Sequence, residues 1–513
     1  MVDRIEQACA EAQKPAPAAP STDVDPDVNT RPWQDDILYM VMVDRYANGD
    51  PSNDGTVDKA HPWKRHGGDL RGLIDRLDYL ADLGVTALWI DPVDLNQEDG
   101  YHGYWPVDFD KVDPRRGTLE TLNELREKAN ERGIKLVLDR VINHTGYDHP
   151  WPKDPEKEEW FHHSGSIKWV SQEAIEEGEL HGLPDLAQEN PEVAKFLIDN
   201  DREWIRRTGV QGYRLDAVKH VPADFWKDYS KALHEEGGDN FLLIGEVFRG
   251  VPEYIARYQR EDGIDSVFDV PLCDAVRNTL TADPEEDGPG FMTRLKDVIK
   301  NRKHLLFNEA LRKLRGSDVG DMRNLSEVFQ QDGTYVNPNL LATVIDNHDM
   351  SRFLTEAGEN ARAKLKLALA LLLSTRGIPV ILYGTESAME GQAGQDNRAD
   401  MQFDRDPDMK AYLKSLISLR RNNVELRRGE QRELAADLET YSFARVHAEG
   451  TSVVVLNNSR DPQQRSIPVS SVAGDGDRFR DLLTGRELVV RRGRLEVELD
   501  PKQPMILKRS TSA

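Results

Sequence analysis

The sequence contains very little cysteine, with only Cys9 and Cys273 among its 513 residues. Two cysteines cannot build a disulfide framework, so a small disulfide-stabilised scaffold is excluded and no structural disulfide is expected. Long apolar runs are missing as well. The longest covers residues 365–373, is interrupted by Lys366, and is far shorter than the roughly 20 residues of a membrane-spanning helix. We therefore expect no membrane partner.

Positive charge is also scarce, because 67 Lys and Arg residues face 91 Asp and Glu residues and leave a net charge of −24. Such a surface repels phosphate backbones, so we expect no nucleic-acid partner. The charge favours a neutral or cationic substrate, or a salty working environment. Because salt screens the self-repulsion of an acidic surface, we expect folding and activity to tolerate or require high salt.

The first thirty residues have no apolar segment of the kind found in a signal peptide. They are rich in Ala, Pro and acidic residues, a composition that cannot bury enough apolar surface to fold by itself. This composition predicts a disordered leader over residues 1–30.

Eight short apolar runs recur along the chain, and most are separated by stretches with helical spacing. They cover residues 37–43, 85–90, 135–138, 212–215, 241–244, 266–268, 341–345 and 380–383. Helical spacing is clear over residues 70–83 and 119–132, with Gly84 and Gly133 at positions typical of helix ends. Strands that alternate with helices favour a parallel closed sheet. We therefore expect an α/β fold with a (β/α)8 TIM barrel over residues 31–428.

Two stretches depart from this alternation. Residues 144–190, after the third strand, are irregular and rich in Trp, His, Pro and charged residues. Long loops in compact domains are usually functional, and this one predicts an inserted subdomain. After about residue 428 the helical spacing gives way to short β-like runs. We therefore expect a C-terminal antiparallel β domain, a β-sandwich, over residues 429–513.

Polar side chains follow four of the predicted strands at their carboxyl ends, where barrel enzymes place catalytic groups. They are Asp139, Asn143 and His144 after the third strand, Arg214, Asp216, Lys219 and His220 after the fourth, Glu246 after the fifth, and His348 and Asp349 after the seventh. A lone acidic residue after a strand is usually a helix cap or a solvated charge, and Asp139 fits that description. The three carboxylates of Asp216, Glu246 and Asp349 together indicate an active site.

This set of groups suits glycoside cleavage, in which one carboxylate attacks the anomeric carbon and an acid protonates the departing oxygen. Arg214 lies two residues before Asp216, on the same face of a strand, and is expected to keep that carboxylate ionised as a nucleophile requires. Glu246 follows an apolar run, where desolvation raises a carboxyl pKa as an acid/base group needs. Asp349 is then expected to grip sugar hydroxyls as charge develops in the transition state.

Seven segments spread along the chain resemble the α-amylase family of retaining α-glycoside hydrolases. They are GVTALWIDP (84–92), DRVINH (139–144), LPDL (183–186), GYRLDAVKH (212–220), GEVF (245–248), IDNHD (345–349) and GIPVILYGTE (377–386). The resemblance implies that Asp216 is the nucleophile, Glu246 the acid/base and Asp349 the transition-state stabiliser. It also implies binding contacts, namely His144, Arg214 and His348 at the −1 sugar, with Lys219 and His220 on the acceptor side.

Aromatic residues crowd the segment YHGYWPVDF (101–109), which contains Tyr101, His102, Tyr104 and Trp105. Sugar rings present apolar C–H faces that stack on such side chains. For Trp105, a place in a buried aromatic cluster is an almost equally good interpretation. For Tyr104, the family resemblance implies a stacking platform under the −1 sugar.

Oxygen-bearing residues cluster near the start of the predicted barrel, namely Asn48, Asp50, Asn53, Asp54, Gly67 and Asp69. Clustered oxygen ligands in a flexible loop suit Ca²⁺. Without the family resemblance, an Asx-rich surface turn is the simpler interpretation. The resemblance to cyclodextrin glucanotransferases and their relatives implies a calcium site here. It implies a second calcium where Asn143, Asp185 and the backbone carbonyl of His220 meet and clamp the insert to the barrel.

One motif departs from the pattern of cyclodextrin glucanotransferases. Where those enzymes have G-D-P-N-N-R, this chain has AGQDNR (393–398), which keeps Arg398 as a donor-side contact but has Gly394 in place of the acidic residue. The leading interpretation is therefore an α-1,4-glucan hydrolase acting on starch, maltooligosaccharides or cyclodextrins. The alternatives are a 4-α-glucanotransferase, in which a sugar hydroxyl replaces water, and a catalytically inactive sugar-binding barrel.

Overall fold

The structure is a computed structural model that describes residues 27–281 and 320–510. The predicted leader lies almost entirely outside the described residues, as does Cys9. Cys273 is buried and forms no disulfide. Within the described ranges, no helix is both long and apolar enough to cross a membrane.

Eight parallel strands form one closed sheet, which confirms the predicted TIM barrel. They are β1 (Leu38–Val41), β2 (Ala87–Ile90), β5 (Lys135–Arg140), β6 (Gly212–Leu215), β7 (Leu242–Gly245), β8 (Ser266–Val267), β9 (Ala342–Thr343) and β10 (Ile378–Leu382). Their order around the sheet is β8-β7-β6-β5-β2-β1-β10-β9, and a parallel bridge between Phe268 and Ala342 closes the ring. A short hairpin of β3 (Asp94–Asn96) and β4 (Pro106–Val112) follows the second barrel strand.

The barrel strands are buried on both faces because helices cover the outside and side chains fill the inside. Parallel register sets which residues stand side by side at their carboxyl ends. Asp139 of β5 lies opposite Arg214 of β6, and Arg214 lies opposite Ile244 of β7. The polar residues that follow β5, β6 and β7 therefore meet at one rim of the barrel.

Helices separate most of the barrel strands. The described helices cover Val43–Tyr46, Leu70–Asp75, Leu77–Leu83, Leu119–Glu131, Gln172–Glu176, Pro191–Thr208, Ala223–Gly237, Pro252–Arg260, Val270–Leu280, Arg323–Phe329, Phe353–Glu356, Ala361–Ser374, Pro407–Asn422 and Val424–Arg428. The helix predicted over 70–83 is in fact two helices. The backbone of Arg76 leaves helical geometry, with φ −107° and ψ 6°, and breaks the regular hydrogen-bonding pattern there. Gly84 ends the second helix in the left-handed conformation, as its position predicted.

The insert after the third barrel strand, β5, contains little regular structure. It holds three short 3-10 turns, Trp151–Lys153, Pro155–Trp160 and Leu180–Gly182, and the one-turn helix Gln172–Glu176. Isolated antiparallel bridges, His144 with Asp185 and Phe161 with Leu186, join the insert's two ends. Aromatic side chains pack where the insert meets the barrel, so apolar contacts stabilise the insert in place of a hydrogen-bonded sheet.

The C-terminal domain is an antiparallel β-sandwich of unequal sheets. The larger sheet has the order β11-β12-β13-β18-β15-β16, and β14 pairs with β17. The strands are β11 (Glu430–Ala436), β12 (Thr440–His447), β13 (Gly450–Asn457), β14 (Gln463–Pro468), β15 (Arg478–Asp481), β16 (Glu487–Val489), β17 (Arg494–Leu499) and β18 (Pro504–Arg509). Alternating apolar residues of both sheets form a separate small core.

Candidate active site

Arg214 is the centre of the polar rim. It lies in β6, is about 1% exposed, and carries two terminal nitrogens that reach three carboxyl groups. Nη1 donates to Asp216 Oδ1 at 2.6 Å and to the two oxygens of Asp139 at 3.0 and 3.1 Å. Nη2 lies 3.3 Å from Glu246 Oε1. One guanidinium therefore links the ends of three neighbouring strands.

Asp139 anchors Arg214 from the barrel interior. Its Oδ2 also accepts hydrogen bonds from the Trp89 indole at 3.1 Å and the Tyr104 hydroxyl at 2.8 Å. Burial raises the pKa of Asp139 to about 8, while the charge of Arg214 and the hydrogen bonds from Arg214 and Tyr104 oppose that rise. Because these contacts enclose Asp139, its carboxyl group holds Arg214 in position.

The backbone beside Asp216 is strained in a way that positions Glu246. Ala217 adopts a left-handed conformation, with φ 51°, which is uncommon for a residue with a side chain. Its N–H donates to Glu246 Oε2 at 3.0 Å. The left-handed turn therefore places the two carboxyl groups next to each other at the mouth of the barrel.

Asp349 enters the rim from the opposite side and is the most exposed of the three, at 39%. Arg398 Nη2 donates to its Oδ1 at 2.7 Å, and Arg398 Nε donates to the carbonyl of His348 at 2.8 Å. Burial favours the protonated form, but His348, Arg398 and Arg214 outweigh it and lower the pKa of Asp349 to about 2. Asp349 is therefore a carboxylate over the whole neutral range.

The two remaining carboxyl groups are unequal. Burial raises the pKa of both Asp216 and Glu246, and Arg214 opposes that rise at both. Arg214 makes the shorter contact to Asp216. The negative charge of Asp349 raises the pKa of both groups, and that of Asp216 raises the pKa of Glu246 further. The arrangement favours the proton on Glu246 and the negative charge on Asp216.

Aromatic and imidazole rings form one wall of the site. The Tyr104 ring stacks on the His348 ring with a 3° interplanar angle, and the Tyr104 hydroxyl lies 2.9 Å from His348 Nε2. His102 accepts from the Tyr104 N–H through Nδ1, and its ring packs edge-on against half-buried Trp105. Burial lowers the pKa of His348 to about 3, so this wall is neutral at physiological pH.

Three of the predicted binding residues lie at the edges of this wall. His144 is buried and its Nε2 lies 3.0 Å from the carbonyl of Tyr104, so it supports the wall. Lys219 Nζ donates to the carbonyl of Phe248, two residues after Glu246, at 3.2 Å. His220 is buried, and its Nδ1 lies 3.2 Å from the carbonyl of Ile175 in the insert.

Sequence reasoning missed two exposed aromatic residues beside Lys219. Trp169 is 42% exposed and Phe248 is 43% exposed. Lys219 Nζ lies 5.3 Å from the centre of the Trp169 ring, and the edge of that ring meets His220. The sequence could have predicted that Phe248 lies near the site, because it follows Glu246 by two residues. No pattern in the sequence around Trp169 predicts that Trp169 lies there.

The comparisons with known proteins agree with this geometry. The family model described as "Alpha amylase, catalytic domain" matches residues 40–428. The chain belongs to the α-amylase family. It is thus an α-amylase-type glycoside hydrolase, and residues 431–506 match the "Neopullulanase-like, C-terminal domain".

Two curated relatives cover most of the chain. The β/α-amylase of Paenibacillus polymyxa is 34% identical over 491 residues, which are 92% of this chain and 37% of that protein. The chain therefore spans little more than a third of that relative's length. The cyclomaltodextrinase of Thermoanaerobacter pseudethanolicus is 30% identical over 498 residues, or 93% of this chain and 78% of that protein.

Two crystal structures share the whole arrangement of domains. An Anoxybacillus α-amylase superposes with a TM-score of 0.84 at 37% identity, covering 94% of this chain and 99% of that one. The α-amylase of Geobacillus thermoleovorans, solved with acarbose, superposes with a TM-score of 0.82 at 35% identity, covering 94% of this chain and 100% of that one.

The first predicted calcium loop has oxygen atoms that suit a cation. Asn53 Oδ1 is buried without a hydrogen-bond partner, and Asn48 Nδ2 donates to Asp54 Oδ1 at 2.7 Å. Gly67, with φ 87°, faces these side chains, and a Cβ there would come within 2.8 Å of Asp54 Oδ1. No group of three His, Cys, Asp or Glu side chains in the described part of the chain is arranged for a metal. A site here would depend on amide and carbonyl oxygens, which fit Ca²⁺.

Asp50 and Asp69 have other partners in that loop. Asp50 Oδ1 accepts from the Ser52 hydroxyl at 2.6 Å. Asp69 caps the helix Leu70–Asp75 by accepting from the Gly72 N–H, and it also accepts from the N–H groups of Gly49 and Asp50. Its carboxylate therefore fastens the loop to the barrel whether or not an ion is bound.

The second predicted calcium site stays a prediction. Asn143 Oδ1 is buried there without a hydrogen-bond partner. Asp185 Oδ1 accepts from Asn143 Nδ2 at 3.0 Å, and Oδ2 lies 2.7 Å from His162 Nδ1. His162 Nε2 lies 2.8 Å from Glu189. Both oxygens of Asp185 are thus hydrogen-bonded, and contacts between side chains already join the insert to the barrel here.

Proposed function

We propose that this enzyme is a retaining hydrolase that cleaves α-1,4-glucosidic bonds in starch, maltooligosaccharides or cyclodextrins. The observation that carries the proposal is the single guanidinium of Arg214, which contacts both Asp216 and Glu246. Two carboxyl groups sharing one guanidinium are compatible with the separation of about 5–5.5 Å of retaining enzymes, and less so with the roughly 6.5–9.5 Å of inverting ones.

In the first step the bond between the anomeric carbon and the glycosidic oxygen breaks. Asp216 Oδ1 is engaged by Arg214, whereas Oδ2 accepts no hydrogen bond from the described residues, so Oδ2 attacks the anomeric carbon. Glu246 gives its proton to the departing oxygen. In the second step the ionised Glu246 takes a proton from water, whose oxygen attacks the same carbon and releases Asp216.

The surrounding groups act on the transition state. Asp349, held ionised by Arg398, accepts hydrogen bonds from hydroxyl groups of the −1 sugar as positive charge develops on the ring. Tyr104 stacks under that ring, while Trp169 and Phe248 provide exposed aromatic surface on the acceptor side. The uncharged wall of aromatic and imidazole rings, next to the carboxyl groups of the site, suits an uncharged sugar polymer.

The products formed from different glucans test this function. We expect the enzyme to release reducing sugar from soluble starch and from β-cyclodextrin in the presence of calcium. Chromatography of the products from starch, pullulan and cyclodextrin, run side by side, gives the preferred substrate. Absence of release from both starch and β-cyclodextrin would overturn the proposal.

One observation favours hydrolysis by water over transfer of the glucan chain to another sugar. Gly394 has no side chain, and the space beside its Cα is open, so this position of the loop 393–398 offers a donor sugar no polar contact. A weakly held donor chain favours release to water over transfer to another sugar. With maltotriose as substrate we expect glucose and maltose; products longer than maltotriose would instead identify a 4-α-glucanotransferase.

We infer further that the loop of Asn48, Asn53, Asp54 and Gly67 binds one structural Ca²⁺. When bound, the ion would tie this loop together, away from the reacting carboxyl groups. Removing calcium with EDTA should lower the melting temperature by about 3–5 °C, because a ligand that binds only the folded state stabilises it. Differential scanning fluorimetry with EDTA, and then with added Ca²⁺ or Mg²⁺, measures the change.

A pair of variants makes the calcium experiment specific. Asp54→Asn should lose most of the Ca²⁺-dependent part of the melting temperature. Asp58→Asn is the matched control, since Asp58 lies in the same loop region and its carboxylate accepts from the Ala60 N–H. Equal responses to Ca²⁺ in both variants would contradict the assignment of this loop.

A further inference from the structure

Two arginines are buried at the end of the barrel opposite the active site without a carboxylate partner. Arg420 lies in the helix Pro407–Asn422 and Arg445 lies in β12 of the C-terminal domain, and each is 0% exposed. Neither forms an ion pair with any described residue. A buried charge without a counter-charge is costly, so such a pair needs an explanation.

Their hydrogen bonds go only to neutral acceptors. The terminal nitrogens of Arg420 donate to the carbonyls of Leu373, Thr375 and Gly377. Arg445 donates through Nε to the carbonyl of Glu425 and through Nη1 to Gln431 Oε1, both at 3.2 Å. These contacts position the two side chains but do not neutralise them.

Three donor groups in this region are buried and have no hydrogen-bond partner. They are Arg420 Nε, Arg445 Nη2 and Gln431 Nε2. Nearly all buried donors in folded proteins are hydrogen-bonded. Three unpaired N–H donors, two of them on charged guanidinium groups, indicate a missing acceptor.

Thr375 and Gln431 connect the two arginines. The Thr375 carbonyl accepts from Arg420 at 2.9 Å, and its hydroxyl donates to Gln431 Oε1, also at 2.9 Å. The same Gln431 oxygen accepts from Arg445. Burial lowers the pKa of Arg445, and the positive charge of Arg420 is the next largest cause. The two guanidinium groups are therefore close enough to repel one another.

The nearest acidic side chains are already engaged. Asp269 and Asp332 both pair with Arg376. The Glu425 carboxylate accepts from the Ser452 hydroxyl at 2.8 Å and packs against Gly450, and Arg445 bonds its backbone carbonyl instead. Neither Arg420 nor Arg445 therefore has a carboxylate in direct contact, although the charges of Asp332 and Glu425 act on Arg445 from a distance.

We propose that Arg420, Gln431 and Arg445 bind one small monovalent anion, chloride, between the barrel and the C-terminal domain. The anion accepts hydrogen bonds from the three unpaired donors, two of which belong to positively charged guanidinium groups. Because Arg420 belongs to the barrel and Gln431 and Arg445 to the β-sandwich, the ion joins the two domains. It is a structural site, remote from the reacting carboxyl groups.

Thermal melting in two potassium salts tests the proposal. At equal ionic strength, KCl and potassium gluconate screen surface charge equally, but gluconate is too large for a site built for chloride. We expect a melting temperature about 3 °C higher in KCl, rising with chloride concentration and then levelling off as the site fills. Identical curves in the two salts would overturn the proposal.

Substitutions of the proposed anion ligands test whether the chloride effect on the melting temperature arises at this site. Arg420→Lys, which keeps the charge but lacks the Nε donor, and Arg445→Gln should both lose the difference between chloride and gluconate. Arg432→Gln is the matched control, because Arg432 is exposed on β11 and pairs with Glu430; it should keep the difference. A chloride effect that survives in both Arg420→Lys and Arg445→Gln would contradict the site.

A crystallographic measurement on the unaltered protein covers the case in which both variants fail to fold. Crystals grown in NaBr should give an anomalous difference peak within about 3.5 Å of Arg420 Nε and Arg445 Nη2, a distance typical of a hydrogen-bonded anion. A water molecule there gives no anomalous signal. Absence of the peak would show that water, and no anion, satisfies these donors.

Discussion

Replacing Asp216 by Asn will lower kcat on soluble starch by about 10⁴-fold or more. Asparagine has nearly the same shape, but its amide cannot form the covalent bond to the anomeric carbon, and losing a nucleophile removes one whole step of a two-step reaction. The amide also loses the charge that pairs with Arg214 at 2.6 Å. Initial rates of reducing-sugar release, measured at saturating starch, give the change in kcat.

A second Asp→Asn variant controls for unspecific effects of this substitution. Asp224 is 94% exposed at the start of the helix Ala223–Gly237, directly after the same barrel strand and turn, and it pairs with Lys227. Asp224→Asn should keep the activity of the unaltered enzyme, and both variants should melt at nearly the same temperature. If a folded Asp216→Asn enzyme kept full activity, the nucleophile would have to be a different residue.

Replacing Glu246 by Gln will have the second largest effect, and its size will depend on the leaving group. On starch we expect kcat to fall by about 10²–10⁴-fold, because no proton is available for the departing sugar oxygen. On α-maltosyl fluoride, whose fluoride leaves without protonation, the first step should slow less than about 10-fold by the same reasoning. Stopped-flow measurement of fluoride release separates the two cases.

An added nucleophile checks the second half of this role. Azide attacks without giving up a proton, so it needs no general base and should speed turnover of the Glu246→Gln enzyme while forming a glycosyl azide. It should not speed the unaltered enzyme. Equal loss of rate on starch and on the fluoride, with no effect of azide, would remove Glu246 from the acid/base role.

The pH dependence of kcat/KM on starch follows from the same two groups. Glu246 must be protonated in the free enzyme, so activity falls as the pH rises through its pKa. Because burial and neighbouring carboxylates raise that pKa, activity persists to higher pH. Asp216 must be ionised, so activity falls as the pH drops through its pKa, which burial also raises. In Glu246→Gln acting on α-maltosyl fluoride, the loss of activity at high pH should disappear.

Several features of this protein were readable from its residues alone. The eight apolar runs predicted the eight barrel strands because a strand buried on both faces is mostly apolar. Once a barrel was inferred, polar residues at the strand ends had to share one rim. That rule was enough to select Asp216, Glu246 and Asp349, and the structure places all three around Arg214 and Arg398.

Other features depended on contacts between distant segments. The break at Arg76, the left-handed Ala217 and the position of Trp169 leave no local pattern, because neighbouring elements impose them. The contact between His162 Nδ1 and Asp185 Oδ2 likewise joins residues that are far apart in the sequence.

The sequence by itself determined the family of fold and the candidate catalytic residues, because strand and helix periodicity and strand-end polarity are properties of short segments. Only the tertiary structure decided which charges are compensated. Arg214 and Arg420 are both buried arginines, and nothing in their local sequence distinguishes them. Arg214 is surrounded by carboxylates and Arg420 by carbonyls, because side-chain neighbours are set by the register of strands and the packing of domains.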